Sequence, residues 1–294
     1  MTTAYGVQSM VDPLARVLLK SPQAAFRNQP YCDSEWVRYG YREAPLYNRA
    51  EQEFSRFVDI LAQHVPSIEF LEELPETGLD SLYTHDAVKV TRDGAILLNP
   101  AKPLRKGEPE AVRQFLSTHN IPVVGSIQSP GHMEGGDVVW IDERTVALGR
   151  GYRTNDDGVT QFRQLVRHLV DEVVIVPLPH AEGPDHCLHL MSLISLVDRD
   201  LAVVYSRYLP VFFREWLMAR GIELIEVSDA EYESLGTNVL ALAPRQCLIL
   251  TGNPQTKQAL QSRGATVWDY EGLEISLKGT GGPTCLTAPL WRHN

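Results

Sequence analysis

Short apolar runs rich in Val, Ile and Leu recur along the chain, bounded by turn-forming residues, and runs of this kind predict β-strands. The tight turn Arg92-Asp93-Gly94 joins two of them and predicts a β-hairpin. The predicted strands are Arg16–Lys20, Ala87–Thr91, Ala95–Leu98, Asp137–Ile141, Thr145–Leu148, Glu172–Pro177, Leu201–Tyr205, Val239–Ala243, Gln246–Leu250 and Thr266–Tyr270.

Between these runs the apolar positions follow a helical period. In Asn48–His64, Phe54, Phe57, Val58 and Leu61 fall at i, i+3, i+4 and i+7 and so line one face. The other predicted helices are Glu108–His119, Val159–Val170, Leu188–Val197, Leu209–Gly221 and Pro254–Gly264.

Strands and helices therefore alternate, which predicts an α/β fold with hairpins. No Pro/Ser/Gly-rich linker or charge run divides the chain, so we expect one domain over residues 1–294. A loose ββαβ recurrence, without a repeated sequence motif, is a hint of an internally repeated, propeller-like fold.

Composition then excludes several classes of function. Hydrophobic residues make up 44% of the 294, enough for a sizeable buried core. The formal net charge is −10 and no Lys/Arg cluster occurs, which argues against a nucleic-acid partner or an anionic membrane surface. This charge suits a small cationic substrate better, although mild acidity is also ordinary for cytosolic proteins.

The cysteines and the N-terminal residues indicate the compartment. Cys32, Cys187, Cys247 and Cys285 are widely spaced without a C-x-x-C pair, so they form neither a disulfide framework nor a zinc ribbon, and a reducing compartment is the simpler assumption. The first residues lack a basic start and an apolar stretch, and no apolar run approaches the ~20 residues that span a bilayer. We expect a cytoplasmic protein, with a homo-oligomer left open.

A double glycine between two carboxylates, Glu134-Gly135-Gly136-Asp137, opens a strongly apolar predicted strand. Glycines at such a point let the backbone approach another group closely. The alternative is a bulged turn whose acidic side chains are solvated.

A loop rich in His, Cys and Asp, residues 183–189, leads into the predicted helix Leu188–Val197. His186, Cys187 and His189 suggest a metal site, but adjacent ligands do not easily converge on one ion and no second ligand pair occurs. A histidine at this junction can instead serve as a general acid or base, because its pKa lies near working pH. A purely structural His189 is the alternative.

Cys285 follows a run of small residues, Gly279, Gly281, Gly282 and Pro283, which leave room for a substrate to reach the thiol. A core cysteine normally lies inside an apolar run. A reactive cysteine with a distant histidine and carboxylate is the general pattern of thiol catalysis.

Taken together and in this order, the three segments resemble the guanidino-group-modifying superfamily, the penteins: arginine deiminases, dimethylarginine dimethylaminohydrolases and amidinotransferases. Glu134-Gly135-Gly136-Asp137 is similar to its Glu-Gly-Gly-Asp, Leu188-His189-Leu190 to its catalytic-histidine motif, and Gly281-Gly282-Pro283-Thr284-Cys285 to its nucleophile loop. The resemblance runs from about Arg16 to the end of the chain.

The resemblance implies a five-bladed α/β propeller of ββαβ-type units around a pseudo-fivefold axis. It also implies that Cys285 is the nucleophile, that His189 is the acid and base, that Glu134 orients the histidine, and that no metal or organic cofactor is needed.

Substrate-binding residues follow from the same resemblance. The two aspartates among them look like guanidinium-facing carboxylates, and the two arginines look like the pair that holds the substrate's carboxylate, a role suited to bidentate pairing. The implied residues are Asp80, Tyr83, His85, Asp86, Arg105 and Arg153.

Two positions depart from the family pattern. Arginine deiminases and amidinotransferases carry an aspartate two residues after the catalytic histidine, where this chain has Met191. Dimethylarginine hydrolases also lack that aspartate, so the chain is nearer to them, yet they carry an acidic residue where this chain has His85.

The resemblance therefore implies a hydrolase that cleaves a C–N bond of arginine, an N-methylated arginine or a related compound through an amidino-thioether. The product is a ureido compound such as citrulline, with ammonia or an alkylamine. The alternatives are an amidinotransferase, a non-catalytic arginine-binding pentein and a thiol protease, although the nucleophile loop does not resemble those of cysteine proteases.

Overall fold

Fifteen β-strands and eight α-helices make up the regular structure of residues 5–293, the part of the chain that the computed structural model describes. The strands are β1 Leu14–Lys20, β2 Ser67–Leu71, β3 Val88–Thr91, β4 Gly94–Leu97, β5 Val123–Ser126, β6 Val138–Asp142, β7 Thr145–Arg150, β8 Glu172–Pro177, β9 Ile194–Asp198, β10 Leu201–Val204, β11 Glu223–Glu226, β12 Leu240–Ala243, β13 Gln246–Leu250, β14 Thr266–Tyr270 and β15 Ala288–Arg292. The helices are α1 Pro22–Ala25, α2 Gln29–Tyr39, α3 Tyr47–Ala62, α4 Glu108–Thr118, α5 Asp156–Val166, α6 Val211–Ala219, α7 Asp229–Glu233 and α8 Pro254–Ser262.

These strands form five three-stranded sheets within residues 5–293, in the orders β15-β1-β2, β3-β4-β5, β6-β7-β8, β9-β10-β11 and β12-β13-β14. In every sheet the middle strand pairs antiparallel with one neighbour and parallel with the other. A helical connection lies between each parallel pair, as the long crossover of such a pair requires. The predicted α/β class with hairpins is confirmed.

A small cavity of about 30 Å³ is lined by residues from one strand of each sheet. The lining residues on these strands are Pro289 and Arg292 of β15, Val88, Lys89 and Val90 of β3, Trp140 of β6, Ser195 and Leu196 of β9, and Leu240 and Ala241 of β12. In each of the five sheets, the outer strand that pairs antiparallel with the middle strand therefore lines this common cavity.

Most predicted elements appear within one to three residues of their expected ends, and β8, β13 and β14 match exactly the ranges given by the sequence. The strands that the sequence did not predict include β2, β5 and β11, which lie at sheet edges and are only partly buried. Because charged or small residues interrupt their apolar positions, they lack a clear strand pattern. Helix α2 was also not predicted, since only Cys32 and Tyr39 of its residues are buried.

The predicted helix Leu188–Val197 is wrong. Residues Leu190–Ser192 form a single 3₁₀ turn, and Ile194–Asp198 is strand β9, which pairs antiparallel with β10. The apolar run is buried on both faces of a strand, and a short run of that kind cannot be distinguished from a buried helix by periodicity. His189 therefore precedes a tight turn and a strand.

No helix within residues 5–293 is long and apolar enough to cross a lipid bilayer. The longest of them, α3, has 16 residues and buries Phe54, Phe57 and Leu61 on one face while its opposite face is polar.

Candidate active site

The residues predicted to act on a substrate come together in one open cleft of about 750 Å³. Eight of the nine line the cleft, and the ninth, Glu134, is fully buried behind His189. The walls include residues from the segments 80–86, 101–105, 182–192, 232–238 and 279–285. This cleft is the candidate active site.

The glycine-rich loop before Cys285 lies against an aromatic ring. A Cβ atom at Gly281 would come within 2.4 Å of the ring of Tyr83, so a larger residue would push the loop away. The Tyr83 hydroxyl donates to the backbone oxygen of Ile275 at 3.2 Å, which fixes the ring. Tyr83 thus supports the loop that carries the thiol.

Asn238 holds the other side of this loop. Its Nδ2 donates to Cys285 Sγ at 3.3 Å, and its Oδ1 accepts from the backbone nitrogen and the hydroxyl of Thr284 at 3.0 and 2.8 Å. Burial and the charge of Asp86 raise the pKa of the half-buried Cys285 above its ordinary value. The thiol form of Cys285 is therefore favoured in the free protein.

His189 and Glu134 form a buried pair. His189 Nε2 lies 2.8 Å from Glu134 Oε2, while Glu134 Oε1 accepts from the backbone nitrogen of Ala101 at 3.0 Å. Burial alone raises the pKa of Glu134, but His189 and Arg153, whose Nε is 3.2 Å from Oε2, lower it well below its usual range. Glu134 is thus a carboxylate that orients the imidazole.

The double glycine of the Glu-Gly-Gly-Asp segment lets this pair form. A Cβ atom at Gly136 would lie 2.5 Å from His189 Nδ1, so a larger residue would displace the ring. Burial lowers the pKa of His189, but the nearby Cys187, Asp86 and Asp137 raise it more, to well above the ordinary value.

Asp86 belongs to a buried ion-pair network. Its Oδ1 accepts from Gly136 N at 2.9 Å and its Oδ2 accepts from Arg105 Nη1 at 2.7 Å. Arg105 also donates to both carboxylate oxygens of Glu108 at 2.9 and 2.8 Å and to the backbone oxygen of Tyr83 at 3.1 Å. Almost all the donors of Arg105 are used within the protein, so its geometry suits holding Asp86 better than holding a substrate carboxylate.

Asp80 and His85 also have partners inside the protein. Asp80 Oδ2 lies 2.6 Å from Lys102 Nζ. His85 Nδ1 is 2.8 Å from the backbone oxygen of Thr287 and therefore donates, which leaves Nε2 to accept from Lys89 Nζ at 2.6 Å. Burial and the charge of Lys89 lower the pKa of His85 to about 3, so this ring is neutral.

Asp86, Glu134 and His189 form a close cluster, in which one ligand atom from each side chain lies within 4.8 Å of the other two. Among the described residues, no other group of three His, Cys, Asp or Glu side chains does so. Both carboxylates already face arginines, Asp86 with Arg105 and Glu134 with Arg153. A divalent cation here would share its carboxylates with these guanidinium groups, so we interpret the cluster as an ion-pair network.

Sequence reasoning missed two residues of the cleft. Asn238 stands in no motif and lies 47 residues before Cys285. Cys187 was weighed as a metal ligand and set aside, yet its Sγ is 3.7 Å from His189 Nδ1. Its position two residues before the predicted histidine was the available signal.

Comparison with known proteins identifies the family. Residues 27–292 match the family model described as "N,N dimethylarginine dimethylhydrolase, eukaryotic". The chain belongs to this family.

Individual relatives of the chain carry several different names. It is 27% identical over 280 residues to the N(G),N(G)-dimethylarginine dimethylaminohydrolase of Streptomyces coelicolor, covering 90% of this chain and 95% of that protein. It is 29% identical over 246 residues to the uncharacterised protein YkgA of Bacillus subtilis, covering 83% of this chain and 80% of that protein. An arginine deiminase of Listeria welshimeri is 24% identical over 265 residues, covering 76% of this chain and 64% of that protein.

Solved structures of the same fold include family members. The dimethylarginine dimethylaminohydrolase of Pseudomonas aeruginosa, in complex with citrulline, superposes with a TM-score of 0.76 at 20% identity, covering 94% of this chain and 99% of that one. The N-terminal domain of a cyanobacterial arginine dihydrolase gives a TM-score of 0.80 at 18% identity, covering 96% and 98%. These likenesses show that the chain has the same fold as these proteins.

Proposed function

We propose that this protein is a hydrolase that cleaves a C–N bond of a guanidino substrate through a covalent amidino-thioether on Cys285. The observation that carries the proposal is the convergence of Cys285, the His189–Glu134 pair and Asp86 on one cleft. The names of the relatives, dimethylarginine dimethylaminohydrolase and arginine deiminase, support this class of substrate.

The first half of the reaction forms the intermediate. The substrate guanidinium binds beside Asp86, and its positive charge favours transfer of the Cys285 proton to water. The thiolate attacks the guanidinium carbon, a C–S bond forms, and His189 protonates the departing ammonia or alkylamine as the C–N bond breaks.

The second half releases the product. His189, now neutral and still held by Glu134, takes a proton from water, and the resulting hydroxide attacks the amidino carbon. The C–S bond then breaks, and the leaving sulfur takes the proton of the newly added hydroxyl group, which restores the Cys285 thiol and gives a ureido product such as citrulline. No step uses a metal or an organic cofactor, and this expectation stays a prediction.

In this proposal the two arginines of the cleft have different roles, whereas the sequence interpretation assigned both to the substrate carboxylate. Arg153 makes one ion pair, with Glu134, among the described residues, and it lines the cleft. It is therefore the better candidate to hold a substrate carboxylate, while Arg105 fixes Asp86. The proposal also keeps three lining residues as substrate contacts, namely Asp80, Tyr83 and His85. Both ring nitrogens of His85 are hydrogen-bonded within the protein, so its contact with the substrate is through the ring carbons.

The architecture is part of the same proposal. The cavity lined by one strand from each of five sheets supports five blades around a pseudo-fivefold axis. We propose a single catalytic domain over residues 1–294, of which residues 1–4 and 294 lie outside the described part of the structure. A cytoplasmic location and a homo-oligomer stay predictions.

A substrate panel tests the function. Arginine, N-methylated arginines, agmatine and guanidino acids are each incubated with the protein, and ureido product, ammonia and alkylamine are measured with and without added glycine or ornithine. Hydrolysis gives a ureido product without an added amine. A product that appears only with the amine means an amidinotransferase instead, and release of neither ammonia nor amine from any compound would refute catalysis.

Asn238→Ala is expected to lower kcat/KM by roughly 10- to 100-fold. The change removes the donor to Cys285 Sγ, and a hydrogen bond to a charged group contributes about 1.5–3 kcal/mol. Asn253→Ala, which removes a buried amide outside the cleft, controls for a general loss of stability. Equal losses of activity in steady-state assays of the two variants would contradict a specific role for Asn238.

A further inference from the structure

His189 has a second neighbour that the proposed reaction does not use. Its Nε2 is held by Glu134, and its Nδ1 makes a 3.7 Å contact with Cys187 Sγ. The imidazole therefore lies between a carboxylate and a thiol. Because Glu134 is fully buried, Nδ1 is the nitrogen left to exchange protons with a substrate or with water in the cleft.

The two thiols of the cleft differ in their surroundings. Burial and Asp86 raise the pKa of Cys285. Burial also raises the pKa of Cys187, but His189 and Arg153 lower it more, so that it falls below the ordinary value. Negative charge is thus favoured on Cys187, which adjoins two cations, rather than on Cys285, which adjoins a carboxylate.

We propose that Cys187 is a positioning residue whose thiolate holds His189 in the protonated form, with its proton on Nδ1, before the substrate binds. This inference rests on the proposed function for its catalytic meaning. The proton is conserved: it passes from Cys187 Sγ to His189 Nδ1, which changes a neutral pair into an ion pair without net uptake or release.

The ion pair supplies what each half of the reaction needs. The Nδ1 proton goes to the departing nitrogen when the C–N bond breaks, which leaves Cys187 as a thiolate beside a neutral imidazole. In the second half, water returns a proton to Nδ1 and the ion pair re-forms. Cys285 therefore need not give its proton to His189, which is already protonated.

Other titratable and charged groups also face this imidazole and affect its protonation. They are the carboxylates of Glu134, Asp86 and Asp137, the thiol of Cys285, the neutral ring of His85, and the guanidinium of Arg153, which also acts on Glu134 and Cys187. A variant at Cys187 leaves all of them in place, so the change that it causes reports on the thiolate alone.

The first test measures the titration of His189 by NMR in the free protein. Removing an anion from beside an imidazolium lowers its pKa, so in Cys187→Ser and Cys187→Ala the midpoint is expected at a pH lower by about 1 to 3 units. Cys285→Ser, which removes the other thiol of the same cleft, is the matched control and is expected to leave the midpoint in place. An unchanged midpoint in both Cys187 variants, or an equal change in Cys285→Ser, would overturn the proposal.

The second test needs no variant that could fail to fold. Free wild-type protein at pH 7 is treated briefly with iodoacetamide, and modified peptides are quantified by mass spectrometry. Cys187 is expected to react faster than Cys285, because the thiolate is the reactive form. Faster modification of Cys285 would contradict the proposal.

Activity supplies the third readout. The alkaline limb of the kcat profile is expected to move to lower pH in Cys187→Ser, because His189 loses its acidic proton sooner. If the substrate panel shows no turnover, the proposed function fails, while the titration and the alkylation still decide whether Cys187 protonates His189.

Discussion

Cys285→Ala is expected to reduce turnover of every guanidino substrate by at least about 10⁴-fold, because it removes the nucleophile of the proposed covalent intermediate, which divides the reaction into two easier steps. The variant removes a half-buried sulfur whose hydrogen-bond contacts are with the Asn238 amide at 3.3 Å and the Thr284 hydroxyl at 3.9 Å, so little loss of stability is expected. Steady-state assays of ureido product measure the effect, and thermal unfolding checks that the protein is folded.

His189→Gly completes this prediction by dividing the reaction at the intermediate. Loss of the acid slows formation of the thioether, and loss of the base slows its hydrolysis, so a substrate with a good leaving group is expected to leave an amidino adduct on Cys285. Mass spectrometry of the intact protein and of its peptides detects the added mass. Turnover that persists in Cys285→Ala, or an adduct on another residue, would exclude Cys285 as the nucleophile.

From the sequence, the residues that line the cleft could be predicted better than the contacts that support them. Glu134, His189 and Cys285 each stand in a motif, and the glycines beside them could be interpreted as places of close approach. In the structure, two of these glycines lie in close contact with a ring: Gly136 with the imidazole of His189, and Gly281 with the ring of Tyr83. A motif consists of residues that are close in sequence, so it can be recognised without knowing which residues pack against it in the fold.

The residues that the sequence did not assign act through long-range contacts. Asn238, two residues before strand β12 begins, contacts Cys285 across 47 residues of sequence, and nothing near position 238 signals that contact. The residue type of Arg105 suits a substrate carboxylate, which is the role that the resemblance implies, but its burial with Asp86 and Glu108 depends on how the turn Pro103–Arg105 packs before α4, and the sequence does not show that packing. The helix prediction for Leu188–Val197 was wrong for a related reason. A strand buried on both faces has apolar residues at successive positions, so it lacks the alternation that identifies a strand.

Arg105→Met is expected to lower the free energy of unfolding by about 3–5 kcal/mol, because it leaves two buried carboxylates without their cation. The side chains of Arg105, Glu108 and Asp86 are all less than one-tenth exposed. Helix α4 offers a matched control. In this helix Arg113 forms an i, i+3 ion pair with Glu110, and both side chains are exposed. Arg113→Met is expected to cost less than about 1 kcal/mol. Urea unfolding of the two variants measures the difference.

The pH dependence of the Arg105→Met deficit separates the loss of charge pairing from a simple loss of packing. Burial raises the pKa of Glu108 to about 7 even with Arg105 opposing it, so removal of the arginine raises that pKa further. A carboxyl whose pKa is higher in the folded than in the unfolded state favours folding at low pH, and this contribution is lost as pH rises. The deficit of Arg105→Met relative to the wild type is therefore expected to be smaller at pH 5 than at pH 8. A deficit that is equal at both pH values would show that Arg105 acts by filling space, and Asp86 would then owe its position to the hydrogen bond from Gly136.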